Sequence, residues 1–284
     1  MSGENWDIIL KPKSKWYAID LKGVWHYRDL IRLFVRRDFV AQYKQSIIGP
    51  LWMLIQPLLT TILYSIIFGF IAKLPMGGLP PALFIMTAFI PWTYFSECIS
   101  KTANTFVANS SIFGKVYFPR LVSPVSVMLS NMIRFGVQMI LLTGLFIYYN
   151  RVKGTPIHVN GYVFFLPVLV VILGLMGLSI GLIVSSLTTR YRDLGFLVNF
   201  IIQLLMYGSA VVIPLKVFEN HHTVMSLIKL NPIMWIIQSF RTALLSAGDW
   251  SWGGIGYATA CMLFFLSIAM VLFSRTEKTF TDRV

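Results

Sequence analysis

Apolar residues in this chain gather into long runs separated by short polar or basic stretches. A helix needs roughly 20 predominantly apolar residues to cross a bilayer. Six runs meet or approach that length: 47–72, 81–99, 122–149, 161–187, 194–214 and 255–273. The first is entered through Gly49-Pro50 and carries Pro57, the third is interrupted by Arg134, and the fourth is rich in Gly and Ser. A further apolar stretch, 232–245, is too short to cross and contains Arg241. Irregular backbone at membrane depth is tolerated only where protein or a watery cavity surrounds it. Residues 216–254 are therefore expected to form a re-entrant hairpin whose second limb starts at Asn231-Pro232. The expected fold class is an all-α polytopic membrane protein: an N-terminal segment, 1–46, a transmembrane domain, 47–273, and a short tail, 274–284.

Between His26 and Gln45 the pattern changes from continuous to amphipathic. Tyr27, Leu30, Ile31 and Phe34 follow helical spacing, while Arg28, Arg32 and Arg36 step along another side at every fourth residue. Such a helix lies in the interface, either anchoring the chain to headgroups or docking a partner. Asp38 falls on the apolar face, and Arg37 beside it offers an ion-pair partner. The segment 100–119 is polar but holds Phe106, Val107, Ile112 and Phe113, which a solvated loop does not need. Docking of a soluble subunit and packing on the membrane surface both account for them.

Composition agrees with the pattern. Hydrophobic residues make up 56% of the chain and charged ones only 12%, about half the charge of a soluble domain. The net charge of +13 does not call for nucleic acid, because Lys and Arg collect on the inner side of membrane proteins to set orientation. Segments sharing a side with the termini carry nine, three, two and three Lys and Arg. The opposite loops carry one, two and three. Both termini are thus expected in the cytoplasm and the hairpin outside. Residues 1–27 contain no apolar signal core, so the first span is expected to direct insertion itself. Cys98 and Cys261 lie in apolar runs without neighbours at ligand spacing, so neither a disulfide nor a metal site is expected.

Catalytic machinery is not evident. The sequence has no G-x-x-x-x-G-K-[ST] phosphate loop and no H-E-x-x-H. Any transport energy must come from another subunit or a gradient. Two features remain as chemical resources. The aromatics Phe89, Trp92, Tyr94 and Phe95 form either an interfacial belt or a ring-lined passage in which sugar faces slide by stacking. Arg134 lies roughly 18 Å into the third span, at 1.5 Å per residue, and should face the bundle interior or a cavity. It is either a snorkelling or backbone-satisfied arginine, or a group facing a translocation path or dimer seam where it meets diphosphate oxygens.

A series of short motifs in order then suggests a family. The block from Arg37 through Gly49-Pro50-Leu51-Trp52 with Gln56-Pro57 resembles the start of ABC-2 polysaccharide-export permeases, of the Wzm-type O-antigen and the teichoic acid exporters. Pro91-Trp92-Thr93-Tyr94-Phe95-Ser96, Tyr117-Phe118-Pro119-Arg120, Arg190-Tyr191-Arg192-Asp193-Leu194, and Leu230-Asn231-Pro232 with Phe240-Arg241 extend the match from Arg28 to the C-terminus. The resemblance implies a homodimer in the bacterial inner membrane, bound to two soluble ABC ATPase subunits that use ATP and Mg. This chain itself is then expected to be no enzyme and to bind no cofactor. It implies export of undecaprenyl-diphosphate-linked polysaccharide from cytoplasm to periplasm. It further implies that the amphipathic helix gates the cytoplasmic side and that the loop 100–119 couples to the ATPase. Arg36, Arg37, Asp38, Phe106, Phe113, Arg190, Arg192 and Asp193 are the coupling candidates. Phe89, Trp92, Tyr94, Phe95 and Arg134 are the channel candidates, and Asn231, Pro232, Trp235 and Arg241 those of a periplasmic gate. Two competing classes are a membrane glycosyltransferase or glycan ligase, which wants outer carboxylates where only Glu219 and Asp249 lie, and a gradient-driven transporter, for which Glu97 is the only carboxylate in a span.

Overall fold

A computed structural model describes residues 21–44, 48–109, 118–155, 157–188 and 194–281. A short helix α1 (Leu21–His26) leads into the amphipathic α2 (Arg28–Tyr43). The first span, α3, runs over Gly49–Ile71, opening as a 3₁₀ turn and widening to a π-helix in its last seven residues. Next come α4 (Pro81–Ala103), one turn of helix α5 (Thr105–Ala108), α6 (Val122–Arg151), α7 (Gly161–Thr188, starting as a 3₁₀ turn) and α8 (Leu194–Gly208). The hairpin follows as α9 (His222–Lys229) and α10 (Pro232–Leu245), and α11 (Trp252–Thr281) closes the chain. Among the described residues, five helices (α3, α4, α6, α7 and α11) are long and apolar enough to cross a membrane.

The boundaries depart from the sequence reading in an instructive way. The expected fifth span, 194–214, is helical only to Gly208. Residues 209–213 leave the helix, with Ala210 at a φ of +53°, and Ser209, Ala210, Val211 and Val212 are fully buried. They read as a continued span because a buried irregular segment needs apolar side chains as much as a lipid-facing helix does. The final helix continues past 273 into the expected tail, and the hairpin is two helices joined at Leu230 and Asn231.

The core forms around α4. It has the lowest hydropathy of the five spanning helices, 1.3, yet 72% of its apolar window is buried, against 11% for α3. In lipid this ordering is sensible: helices facing hydrocarbon must be apolar, whereas an interior helix can carry polar side chains that find partners. The close neighbour of α4 is α7, and glycines set their separation. A Cβ on Gly177 would lie 2.8 Å from the Cβ of Cys98 and 3.0 Å from the carbonyl oxygen of Phe95. One on Gly181 would lie 2.6 Å from the Cβ of Thr102 and 3.0 Å from the carbonyl oxygen of Ile99. Small residues at this seam let the backbones meet, the usual source of packing energy between helices in lipid.

Gly177→Val places a branched side chain against backbone that cannot rotate away. It is expected to destabilise the folded chain by about 1–3 kcal/mol. A lowered thermal midpoint in detergent, with Gly136→Val as a control at an open position, checks this.

Candidate functional site

Two rows of polar side chains face each other across α4 and α6. On α4, Thr93, Glu97 and Lys101 recur every fourth residue. On α6, Asn131, Arg134 and Gln138 recur at intervals of three and four. Such spacing places each row along one helix face. The rows are joined by charge: the Arg134 guanidinium donates to Glu97 Oε1. Lys101 Nζ stands 3.0 Å from Glu97 Oε2 as a contact ion pair, while its aligned hydrogen bond, 2.9 Å, goes to Asn131 Oδ1. One carboxylate therefore bridges two cations. Exposure falls along the seam, from 39% for the Lys101 side chain to 23% for Glu97 and 12% for Arg134.

The seam is hollow. A cavity of about 670 Å³ lies at its α2 end, walled by Arg37, Asp38 and Phe39 of α2, Lys101 and Asn104 of α4 and its C-terminal edge, and Asn131 and Arg134 of α6. A smaller cavity of about 70 Å³ continues deeper, walled by Trp52, Gln56 and Pro57 of α3, Phe89, Thr93 and Glu97 of α4, and Arg134 and Gln138 of α6. Met53 and Arg134 line both, so the two are neighbouring chambers of one seam with Arg134 at the junction.

Helix α2 forms the outer lip. Ile31 and Phe34 are buried against Phe118, Leu121 and Val122, and against Leu182 and Phe273 of α7 and α11. The Phe34 ring meets Phe118 edge-on at 5.7 Å and carries the Arg37 guanidinium 4.5 Å above its centre. Arg37 in turn holds Asp38 through its Nε (2.9 Å) and a terminal nitrogen (2.8 Å). The pairing expected from the break in amphipathicity is thus present, and it faces the cavity. Arg28, Arg32 and Arg36 lie on the exposed side.

Other expected site residues are placed differently. Trp92, Tyr94 and Phe95 are buried inside the single chain, among residues of α6, α7 and α10, so they do not line an open passage. Of that group only Phe89 borders the seam. It meets Tyr64 edge-on at 6.1 Å, and Tyr64 meets Phe68 at 5.9 Å, forming a half-exposed aromatic run that the sequence reading missed. Successive helical residues point about 100° apart, so four aromatics within seven positions cannot share a face.

The expected gate residues act as fasteners. Asn231 caps α10 by accepting from the Ile233 amide, and its amide donates to Gly208 O (3.2 Å) and Ser209 Oγ (2.8 Å). Pro232 occupies the first turn of α10, where its missing amide hydrogen costs nothing. Trp235 donates to Lys229 O at 2.9 Å, and its ring fills the space left by Gly254. Arg241 is fully buried. It donates to the carbonyls of Ala210 and Val211, and its guanidinium lies 3.9 Å from the centre of the Phe84 ring. Arg241 and Asn231 thus satisfy carbonyls freed where α8 unwinds.

Phe106 sits in α5, but its side chain, like Phe113, Arg190, Arg192 and Asp193, lies outside the described residues. Lys101, Asn131, Gln138, Gln56 and Thr93 were not anticipated. Their signal was available as a polar stripe at helical spacing through two otherwise apolar runs.

Breaking a buried ion pair from one side leaves the other charge uncompensated, at about 3–5 kcal/mol, while removing both together is far milder. Glu97→Gln and Arg134→Gln are each expected to lower the thermal midpoint in detergent. The double variant should recover most of the loss.

Comparison with known proteins places this geometry in context. Residues 29–245 match the ABC-2 type transporter family. The chain is 26% identical over 261 residues, 89% of its length and 94% of the relative's, to the O-antigen export system permease protein RfbA of Klebsiella pneumoniae. A second Klebsiella pneumoniae protein of that name is 24% identical over 244 residues, covering 86% and 88% of the two chains. The Myxococcus xanthus protein of that name is 24% identical over 221 residues, covering 78% and 82%. With a match spanning most of its length and the helical membrane architecture to go with it, the chain belongs to the ABC-2 type transporter family.

Proposed function

We propose that this chain is the membrane permease of an ABC exporter that moves a lipid-linked, O-antigen-like polysaccharide from the cytoplasm to the periplasm. The observation that carries the reading is the near full-length similarity to O-antigen export permeases. The polar seam gives it a physical counterpart: a hollow, charged track entering the bundle beside α2 and leading past Arg134 to aromatic side chains. An anionic headgroup and sugar rings both find complementary surfaces there.

The energy source is assigned to a separate pair of ATPase subunits that bind ATP and Mg, since the sequence has no phosphate loop of its own. Their docking surface is the α2 end, with Arg36, Phe106, Phe113, Arg190, Arg192 and Asp193 as contact candidates. Charge asymmetry puts that end, and both termini, in the cytoplasm of a bacterial inner membrane. The permease works as a homodimer. Helix α3, only 11% buried in its own chain, has ample free surface for a second copy. No observation favours a glycosyltransferase or ligase. Glu97, the carboxylate a gradient-driven transporter would use, is held between two cations.

The test is purification of the chain with its candidate ATPase. A stable complex is expected, weakened at least about tenfold by Phe106→Asp or Phe113→Asp, given that a few buried aromatic anchors dominate such interfaces. Export in proteoliposomes should stop with vanadate. Vanadate-insensitive export by the isolated chain would refute the proposal.

A further inference from the structure

Arg241 reaches further than the turn it ties. The residue is 1% exposed, and among the described residues no carboxylate stands within ion-pair distance of it. The carbonyls of Ala210 and Val211 accept from its two terminal nitrogens, while its Nε has no hydrogen-bond partner. A whole positive charge inside the bundle is therefore met by partial charges. Its remaining neighbour of that kind is the Phe84 ring, whose centre lies 3.9 Å from the guanidinium carbon. An aromatic face attracts a cation electrostatically, and most strongly where water is excluded.

Phe84 is itself firmly placed. It stands in the first turn of α4, where its amide donates to Pro80 O at 3.1 Å. The residue is buried in a cluster with Met76 and Ile85, joined by Tyr64 and Phe68 of α3. Helix α4 then continues through Pro91 without a break to Ala103. Glu97 lies thirteen residues beyond Phe84, roughly 20 Å along the axis at 1.5 Å per residue. One helix thus carries both the anion of the seam and the ring that faces Arg241.

We infer that Arg241 is a positioning residue: through its contact with Phe84, α4 sets where the outer hairpin sits. This rests on the exporter reading, in which α4 walls the seam and shifts during the transport cycle. The carbonyl bonds fix α10 to the unwound turn, and the ring contact fixes both to α4. A cation so enclosed cannot replace a lost partner with water. If α4 carries Phe84 away, the guanidinium keeps that face only when α10 and the turn at 209–213 follow. Following is the cheaper course, because stripping a buried charge of a partner is strongly unfavourable. Ile233, Ile237 and Phe240 of α10 also share a core with α4. That packing resists separation of the two helices, while the ring contact fixes their register. Helix α9 moves with α10, since Ile228, Met234 and Ala210 form one buried cluster.

The experiment uses the full-length permease with its candidate ATPase in lipid nanodiscs. Spin labels at Leu227→Cys on α9 and Val152→Cys at the end of α6, both well exposed, report the hairpin's position. The background carries Cys261→Ala, and Cys98 is fully buried. Labelled copies are diluted with unlabelled ones, so that each distance is read within one chain. Distances are measured without nucleotide and after trapping with ATP and vanadate, and a shift between the two states is expected. Phe84 is then replaced by mono-, di- and trifluorophenylalanine, which keep the ring's shape and drain its negative face in steps. The shift should shrink stepwise along this series. With the trifluoro ring, glycan export per ATP hydrolysed should fall at least about tenfold, the scale of a desolvated cation–π contact. Phe84→Leu, which removes the face altogether, should match it, and ATP hydrolysis should persist throughout. The same fluorinated series at Phe95 is the control. That ring is buried on α4 against Trp92 with no cation over it among the described residues, and fluorination there should change neither readout.

A hairpin that does not move on trapping overturns the inference, and so does a shift that ignores fluorination at Phe84. An equal loss at Phe95 would assign the effect to packing and overturn it as well. Each of these outcomes leaves the ATPase complex and vanadate-sensitive export untouched. Absence of those two properties in the unaltered protein would instead overturn the exporter reading.

Discussion

Hydrocarbon offers no hydrogen bonds, so every polar group carried into the membrane must be satisfied by the protein itself. That constraint organises this chain at each level. Hydroxyls within the spanning helices fold back onto carbonyls one turn earlier, as Thr60 does to Gln56, Thr87 to Leu83 and Ser179 to Leu175. The least hydrophobic spanning helix, α4, is the most enclosed, and glycines on α7 allow the close approach that encloses it. Where α8 unwinds, the carbonyls it frees are met by Asn231 and Arg241 from the adjoining hairpin.

The two enclosed arginines answer the constraint in different ways. Arg241 is bonded to backbone carbonyls, acceptors that cannot leave without unfolding the turn that presents them. It is a fixed structural tie. Arg134 is bonded to Glu97, a side chain with rotatable bonds and a neighbouring cavity to move into. The first arrangement suits permanent architecture, and the second suits exchange of partners. In the proposed exporter this difference separates the hairpin, which seals, from the seam, which receives.

How far the sequence disclosed this follows from the same physics. Spans were legible because lipid demands long apolar runs, and the starts of α4, α6 and α7 fall at or close to where those runs begin. A separate short helix at 232–245 was legible because that stretch is too short to cross and contains Arg241. Which face of α4 turns inward was not. That depends on Gly174, Gly177 and Gly181 of a helix some eighty residues later, so the pattern left Trp92, Tyr94 and Phe95 open between an interfacial belt and a passage, whereas they are buried in the core of the chain. The unwinding at 209–213 was hidden for a related reason. Burial in protein and exposure to lipid select the same side chains, and only Pro214 marks the change. Glu97 and Arg134 were each visible as anomalies, but nothing in one sequence says that two anomalies face each other.

The geometry of α2 also bears on how a motor could act on a site it does not touch. One side of α2 is anchored by Ile31 and Phe34 to α7, α11 and the start of α6, while Arg37 and Asp38 line the mouth of the seam. The Arg37 guanidinium lies on the Phe34 ring, so the anchoring contact and the lining contact share a side chain. A displacement of α2 by even part of a helical turn would therefore move the charged mouth relative to Lys101, across the chamber. Packed interfaces resist gradual deformation and tend to shift between discrete arrangements. A force applied at the α2 end would thus be felt in the seam as a change in the company of Lys101, which already divides its contacts between Glu97 and Asn131. In this arrangement the coupling would need no long relay. The helix proposed to meet the motor is also a wall of the charged chamber.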